Sequence, residues 1–154
     1  MIGTLMLSIL LSTGLSLDHD RSVVVTATVY QAVESQCDSS PLVTAFGYKI
    51  DPKDPGKHRY IAISRDLESV FSPGDSVYVE GTYPYNDTCK IPVYDGIWII
   101  ADRMNARFTD KVDLLIGNNS FIDLFTGVTV TKINTDAETN YFGKYTEGIK
   151  ETSP

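Results

Sequence analysis

A chain of 154 residues suits a single domain with one buried core and no need of a metal or many cross-links. Its formal net charge of -7 and isoelectric point near 4.7 exclude nucleic acid as a partner, because no basic stripe is present to displace counterions from phosphates. One tryptophan and nine tyrosines provide stacking surface that suits sugars or proteins.

The first twenty residues, "MIGTLMLSILLSTGLSLDHD", carry an apolar run from Ile2 to Leu11 followed by small residues at Gly14 and Ser16. The pattern is that of a secretory leader cleaved near Ser16, although no Lys or Arg precedes the apolar run. The run is too short and too rich in hydroxyls to span a bilayer. Export to the periplasm or the outside of a bacterium is therefore expected. The alternative is a cytoplasmic chain with an apolar first strand.

"RSVVVTATVY" (21–30) is β-branched and partly alternating, which predicts a strand. "LVTAFGYKI" (42–50) predicts a shorter strand interrupted at Gly47, and "DPKDPGKH" (51–58) a turn. "RYIAIS" (59–64) predicts a strand, "RDLESVF" one helical turn and "DSVYVEG" (75–81) a half-buried strand. The insertion "TYPYNDTCKIPVYDG" follows. "IWIIA" (97–101) reads as a strand buried on both faces, and "VDLLIG" (112–117) and "GVTVTKI" (127–133) as the last two. Residues 134–154 lose the apolar signal and read as a flexible tail. About seven short strands with little helix predict a closed all-β barrel over residues 21–133.

Cys37 and Cys89 are the only cysteines. In an exported protein they read as one disulfide, whose long loop would contribute about 4 kcal/mol in the chain-entropy account. In a cytoplasmic protein they are two unrelated thiols. With no Cys-x-x-Cys pair, and with His19 and His58 isolated, no metal or other cofactor is expected. "NDT" and "NNS" match glycosylation sequons, which matter only in a eukaryotic secretory route.

The segments "TATVY", "VTAFG", "YIAISRDL", "FSPGDSVYVEG" and "IADRMNARFTDKVDLLIG", in that order over roughly residues 23 to 133, resemble the six-stranded double-psi β-barrel of bacterial cell-wall proteins. Two branches of that barrel are similar. One is the 3D domain of membrane-bound lytic transglycosylases and muralytic proteins of spores and resuscitation; the other is rare lipoprotein A. Asp102 falls on the aspartate that opens the Asp-Thr-Gly-Gly or Asp-Arg-Gly loop of these branches, a catalytic candidate in both, and Asp113 on the aspartate of the next strand. Ser64 stands where the 3D domain has its remaining aspartate, with Asp66 two positions on. Arg103 and Asn105 replace residues of the family's loop after Asp102. Tyr30, Thr44 and Tyr48 fall on the first two predicted strands, which in the family border the groove.

The resemblance implies a monomeric lytic transglycosylase acting on peptidoglycan. Such an enzyme uses the muramic acid's own 6-hydroxyl to displace the leaving sugar, forming a 1,6-anhydro end. A tethered hydroxyl has a high effective molarity, so one aspartate can give and then take the proton. Asp102 is expected to fill that role, with Asp113 and Asp66 assisting and Tyr30, Thr44, Tyr48, Ser64, Arg103 and Asn105 contacting substrate. To hold a proton near neutrality, Asp102 needs its pKa raised by roughly 2 units, about 3 kcal/mol. The apolar Ile99, Ile100 and Ala101 beside it and a nearby carboxylate would push that way. Two non-catalytic alternatives stand beside this one. One is a glycan-binding module that has lost the chemistry; the other is a secreted interaction domain that docks through Thr82 to Tyr94.

Overall fold

A computed structural model describes residues 16–33, 35, 40–84, 91–118, 120 and 123–134. Six strands close into one barrel: β1 (Ser16–Tyr30), β2 (Tyr60–Ile63), β3 (Ser76–Glu80), β4 (Gly96–Arg103), β5 (Lys111–Leu115) and β6 (Phe125–Asn134). Around the barrel their order is β1-β5-β2-β4-β3-β6. The pairs β1/β5 and β2/β4 are parallel and the other four antiparallel. Closure leaves no unpaired sheet edge to attract another strand. The only helices among the described residues are two 3₁₀ turns, Pro55–His58 and Arg65–Ser69.

Alternation along the strands fills the barrel. Val25 and Ala27, Ile61 and Ile63, Val77 and Val79, Trp98 and Ile100, Val112 and Leu114, and Val128 and Val130 form one buried cluster, a pair from each strand. With period two, the residues between them face outward. Tyr30, Ile50, Ala62, Met104 and Leu115 form a second, smaller cluster outside the barrel wall. The candidate site lies against this second layer.

Two local devices hold β4 in place. Gly74, at φ +89 in the Pro-Gly turn, donates its amide to Ile100 O at 2.7 Å, and Ile100 N returns a bond to Asp75 O at 2.9 Å. Asp75 Oδ2 also accepts from Ser72 N and from Lys132 Nζ, at 2.8 and 2.7 Å, tying the turn to β6. The Arg59 guanidinium lies 4.0 Å from the Trp98 ring and donates to the carbonyls of Tyr94, Asp95 and Ile97. The insertion is pinched at its neck, where Asp95 accepts from Thr82 N and Thr82 Oγ1.

Several expectations need correction. Residues 42–50 form no strand: Val43 and Lys49 make a single bridge, closed by Thr44 and Tyr48, so this is a loop laid over the second cluster. Six strands close the barrel, the number expected from the resemblance, rather than the roughly seven counted from local pattern. β4 is not buried on both faces, because Ile97 is 40 % exposed and Ile99 half-buried while Trp98 and Ile100 fill the barrel. The strands also extend beyond the expected limits, to Ser16 at one end and Asn134 at the other. Cys37, Cys89, the first fifteen residues and the tail from 135 lie outside the described residues. Among those described, no helix is long and apolar enough to cross a membrane.

Candidate active-site cleft

Outward residues of β2 and its two neighbours meet in one row. Ala62 is in register with Asp102 on β4 and with Asp113 on β5, and Asp113 is in register with Thr28 on β1. The two aspartates therefore flank Ala62 at one level of the sheet, on strands roughly 9–10 Å apart, two interstrand spacings. Between them Ala62 adds only a methyl group. The space in front is an open cleft of about 630 Å³, a size typical of ligand sites, with Tyr30, Ala62, Asp102 and Asp113 among its lining residues.

Asp113 reaches the cleft by simple alternation between the buried Val112 and Leu114. Asp102 does not. It shares the parity of Trp98 and Ile100, so a regular strand would turn it into the barrel. The β2–β4 register jumps from Ile61↔Ile100 to Ala62↔Asp102, leaving Ala101 as the extra residue of a bulge. A one-residue bulge reverses which face the following side chain takes, and here it delivers a carboxylate to the cleft rather than to the core.

The two carboxyl groups are held differently. Asp102 Oδ1 accepts from Ala45 N at 2.7 Å and Arg103 N at 2.8 Å, and Oδ2 from the Tyr30 hydroxyl at 3.1 Å. One of these bonds fastens the 42–50 loop to the cleft. Asp113 Oδ1 accepts from the Thr28 hydroxyl at 2.9 Å. Its carboxyl is pushed from the ordinary 3.8 up to about 6, chiefly by burial, opposed by the Thr28 hydrogen bond and reinforced by the charge of Asp102. Burial thus gives Asp113 a raised carboxyl. Loss of water contact, not a neighbouring apolar run in sequence, sets the shift.

Thr28 accordingly tunes the site. Thr28→Val removes the donor that favours the charged form, so the Asp113 pKa should rise further above 6. Carbon-detected NMR titration of the Asp113 carboxyl, comparing the variant with the parent, reads this directly; an unchanged or lower midpoint contradicts it.

Of the other expected residues, Tyr30, Arg103 and Asn105 line the cleft. Arg103 is committed elsewhere, forming a two-pronged ion pair with Glu68 at 2.5 and 2.8 Å, its guanidinium 5.0 Å from the Phe46 ring. Asn105 Oδ1 caps Arg107 N. Asp66, Ser64, Thr44 and Tyr48 do not line it. Asp66 is exposed and accepts from Asp110 N at 2.9 Å, while the fully buried Ser64 accepts from Lys111 N at 3.1 Å. Together they fix the entry to β5. For Asp66, burial alone would raise the pKa, but bonds from the Asp110 amide and the Ser64 hydroxyl leave it below the ordinary carboxylate range. Thr44 Oγ1 accepts from Tyr48 N within the overlying loop. The Tyr48 ring packs edge-on against Tyr60, 5.5 Å between centroids.

Arg65, Phe108, Ala62 and Thr28 went unnoticed in the sequence, and Arg107 was considered only as a structural partner of Asp113. Arg65 and Arg107 sit inside the motifs "SRD" and "MNARF", so their nearness to acidic candidates was a usable signal; nothing marks Ala62 or Thr28 until strand register is known. Among the described residues no group of three or more His, Cys, Asp or Glu side chains is placed to hold a metal ion. Comparison with protein families, with curated proteins and with solved structures finds no match.

Proposed function

We propose that this cleft binds the glycan strands of bacterial cell wall in an exported, monomeric double-psi barrel and cleaves them as a lytic transglycosylase. The observation that carries the reading is the pair Asp102 and Asp113 on either side of Ala62, with Asp113 able to hold a proton up to about pH 6. The resemblance in five ordered sequence segments supports the choice of polymer.

In this reading Asp113 is the acid. It gives its proton to the glycosidic oxygen as the bond to the anomeric carbon breaks, and the leaving sugar departs with a free hydroxyl. The 6-hydroxyl of the remaining sugar then bonds to that carbon and returns its proton to Asp113. Asp102, oriented by Ala45, Arg103 and Tyr30, faces the positive charge that builds on the ring and lowers its energy. No water enters the balance, and no cofactor is needed. Digestion of purified cell wall should release fragments with 1,6-anhydro ends, each lighter by one water than a hydrolytic product. A mass spectrum showing only hydrolytic ends, or no release, would overturn the proposal.

One observation favours a second reading, a glycan-binding module without catalysis. Ser64, at the position where the resembling family carries a further aspartate, is buried and bonded to Lys111 N, away from the cleft. Binding to insoluble wall without soluble fragments would select it.

Either reading requires the gap above Ala62. Ala62→Leu places a branched side chain between the two carboxyl groups and should weaken glycan binding by about tenfold or more, at a packing cost of roughly 1–3 kcal/mol. Calorimetric binding alongside the near-ultraviolet dichroism of Trp98 separates the two effects. Unchanged affinity in a folded variant would place the glycan elsewhere.

A further inference from the structure

Three of the chain's five arginines, Arg65, Arg103 and Arg107, line this one cleft, although the chain as a whole is acidic. They come from separate segments: the turn after β2, the end of β4 and the loop before β5. Their concentration needs a cause. Arg103 has one within the protein, the Glu68 carboxylate. Arg65 and Arg107 have no carboxylate within ion-pair distance among the described residues, and both are exposed. The guanidinium of Arg107 lies only over the Phe108 ring, 4.8 Å from its centroid, a contact that leaves its N–H groups free to donate.

Nor do these arginines serve as counter-ions to Asp113. The protonation of Asp113 is set by burial, Thr28 and Asp102, with no guanidinium contributing. The cleft lining thus holds both kinds of group, the Asp102 and Asp113 carboxyls and the Arg65 and Arg107 guanidiniums, and of these two arginines only Arg65 acts on a carboxylate outside the pair, that of Glu68, beyond ion-pair distance. A guanidinium presents a planar fork of donors that matches an oxyanion with two equivalent oxygens, a carboxylate or a phosphate.

The geometry points to Arg65 and Arg107 as an oxyanion subsite that recognises an acidic substituent on the bound ligand and so selects among glycans. The inference rests on the cleft's being a glycan site, and its tests are chosen so that the two ideas fail separately. The acidic group is a carboxylate borne on the sugar or on an attached peptide, or a phosphate ester; both offer the same oxygens.

The full chain, labelled with nitrogen-15 at arginine, is titrated at low salt with four probes. These are a muramic-acid tetrasaccharide with free carboxylates, the same tetrasaccharide with its carboxyls reduced to alcohols, N-acetylglucosamine 6-phosphate, and inorganic phosphate. The acidic tetrasaccharide should shift the side-chain Nε–H signals of Arg65 and Arg107 and bind about tenfold or more tighter than its reduced form. The preference should fall with added salt and vanish in the Arg65→Gln, Arg107→Gln protein, whose fold is checked by thermal unfolding. Arg65→Lys, Arg107→Lys, which keeps the charge but not the fork, should recover only part of it. Equal binding of both tetrasaccharides, unaltered by the glutamine substitutions, overturns the subsite and leaves the glycan reading intact. Shifts with the two phosphate probes but with neither tetrasaccharide would assign the subsite to phosphate and overturn the glycan reading. No shift at either arginine and no binding of any probe overturns both.

Discussion

Asp113→Asn should give a protein that is inactive and yet more stable at neutral pH. Asparagine keeps the shape and can still accept the Thr28 hydroxyl, but it carries no transferable proton, so wall cleavage should fall by roughly 10²–10⁴-fold, the usual worth of a positioned acid. The stability change follows from linkage. In the unfolded chain the carboxyl titrates near its ordinary 3.8, and in the fold only near 6. A folded-state pKa above the unfolded one means that the fold favours the protonated form. Its contribution is complete below about pH 4 and is lost as the pH rises through 6. The loss is about 3 kcal/mol for a shift of roughly 2 units.

Removing the titrating group removes that loss. At pH 7.5 the melting temperature of Asp113→Asn should exceed the parent's by roughly 6–12 °C, and the gap should close near pH 4. The comparison must be made as a difference between the two proteins. Asp51 and Glu68, held below the ordinary range chiefly by their bonds to Lys57 and Arg103, act in the opposite sense, losing stability as the pH falls. They cancel in the difference. Equal melting curves at pH 7.5 would mean that Asp113 ionises there as freely in the fold as outside it.

Asp102→Asn should lose activity by on the order of hundredfold or more, through removal of the negative charge that faces the developing cation. It should do so with a melting temperature close to the parent's. The amide oxygen can still accept from Ala45 N and Arg103 N, so the 42–50 loop stays fastened. A second readout distinguishes this electrostatic role from a merely structural one. The Asp102 charge raises the Asp113 pKa, so its removal should lower the Asp113 midpoint in an NMR titration, opposite to the Thr28→Val shift. Full activity in the variant would sink the role of Asp102, and an unmoved midpoint would show that the two carboxyls do not sense one another.

Much of the barrel was legible from local pattern. The alternation in "RSVVVTATVY" and "DSVYVEG" marked strands whose inner residues, Val25, Ala27, Val77 and Val79, do fill the core. The Pro-Gly turn before β3 was equally plain, because only glycine adopts the +89 φ of Gly74 without strain. "LVTAFGYKI" misled for the same reason that the others succeeded. Its apolar residues look like a strand, but it covers the second cluster as a loop, with Ile50 buried there and Val43 left 46 % exposed.

The site was legible only in part. Asp113 could be placed by counting from Val112 and Leu114. Asp102 was identified by resemblance, yet its parity with Trp98 and Ile100 would send it inward; the bulge at Ala101 arises from how β2 and β4 meet and has no mark in either segment alone. Asp66 stood near the right place in sequence and proved to be bonded to Asp110 N, away from the cleft.

The amino-acid order by itself determined that this chain would bury alternating β-branched residues in a closed barrel, since period-two patterning is carried by the residues of each strand alone. That burial would raise the Asp113 carboxyl was decided only in three dimensions. Desolvation depends on every atom packed around a group, and Asp113 on β5 is flanked by Thr28 of β1 and Ala62 of β2, strands brought together by a closure that no single stretch of the sequence contains.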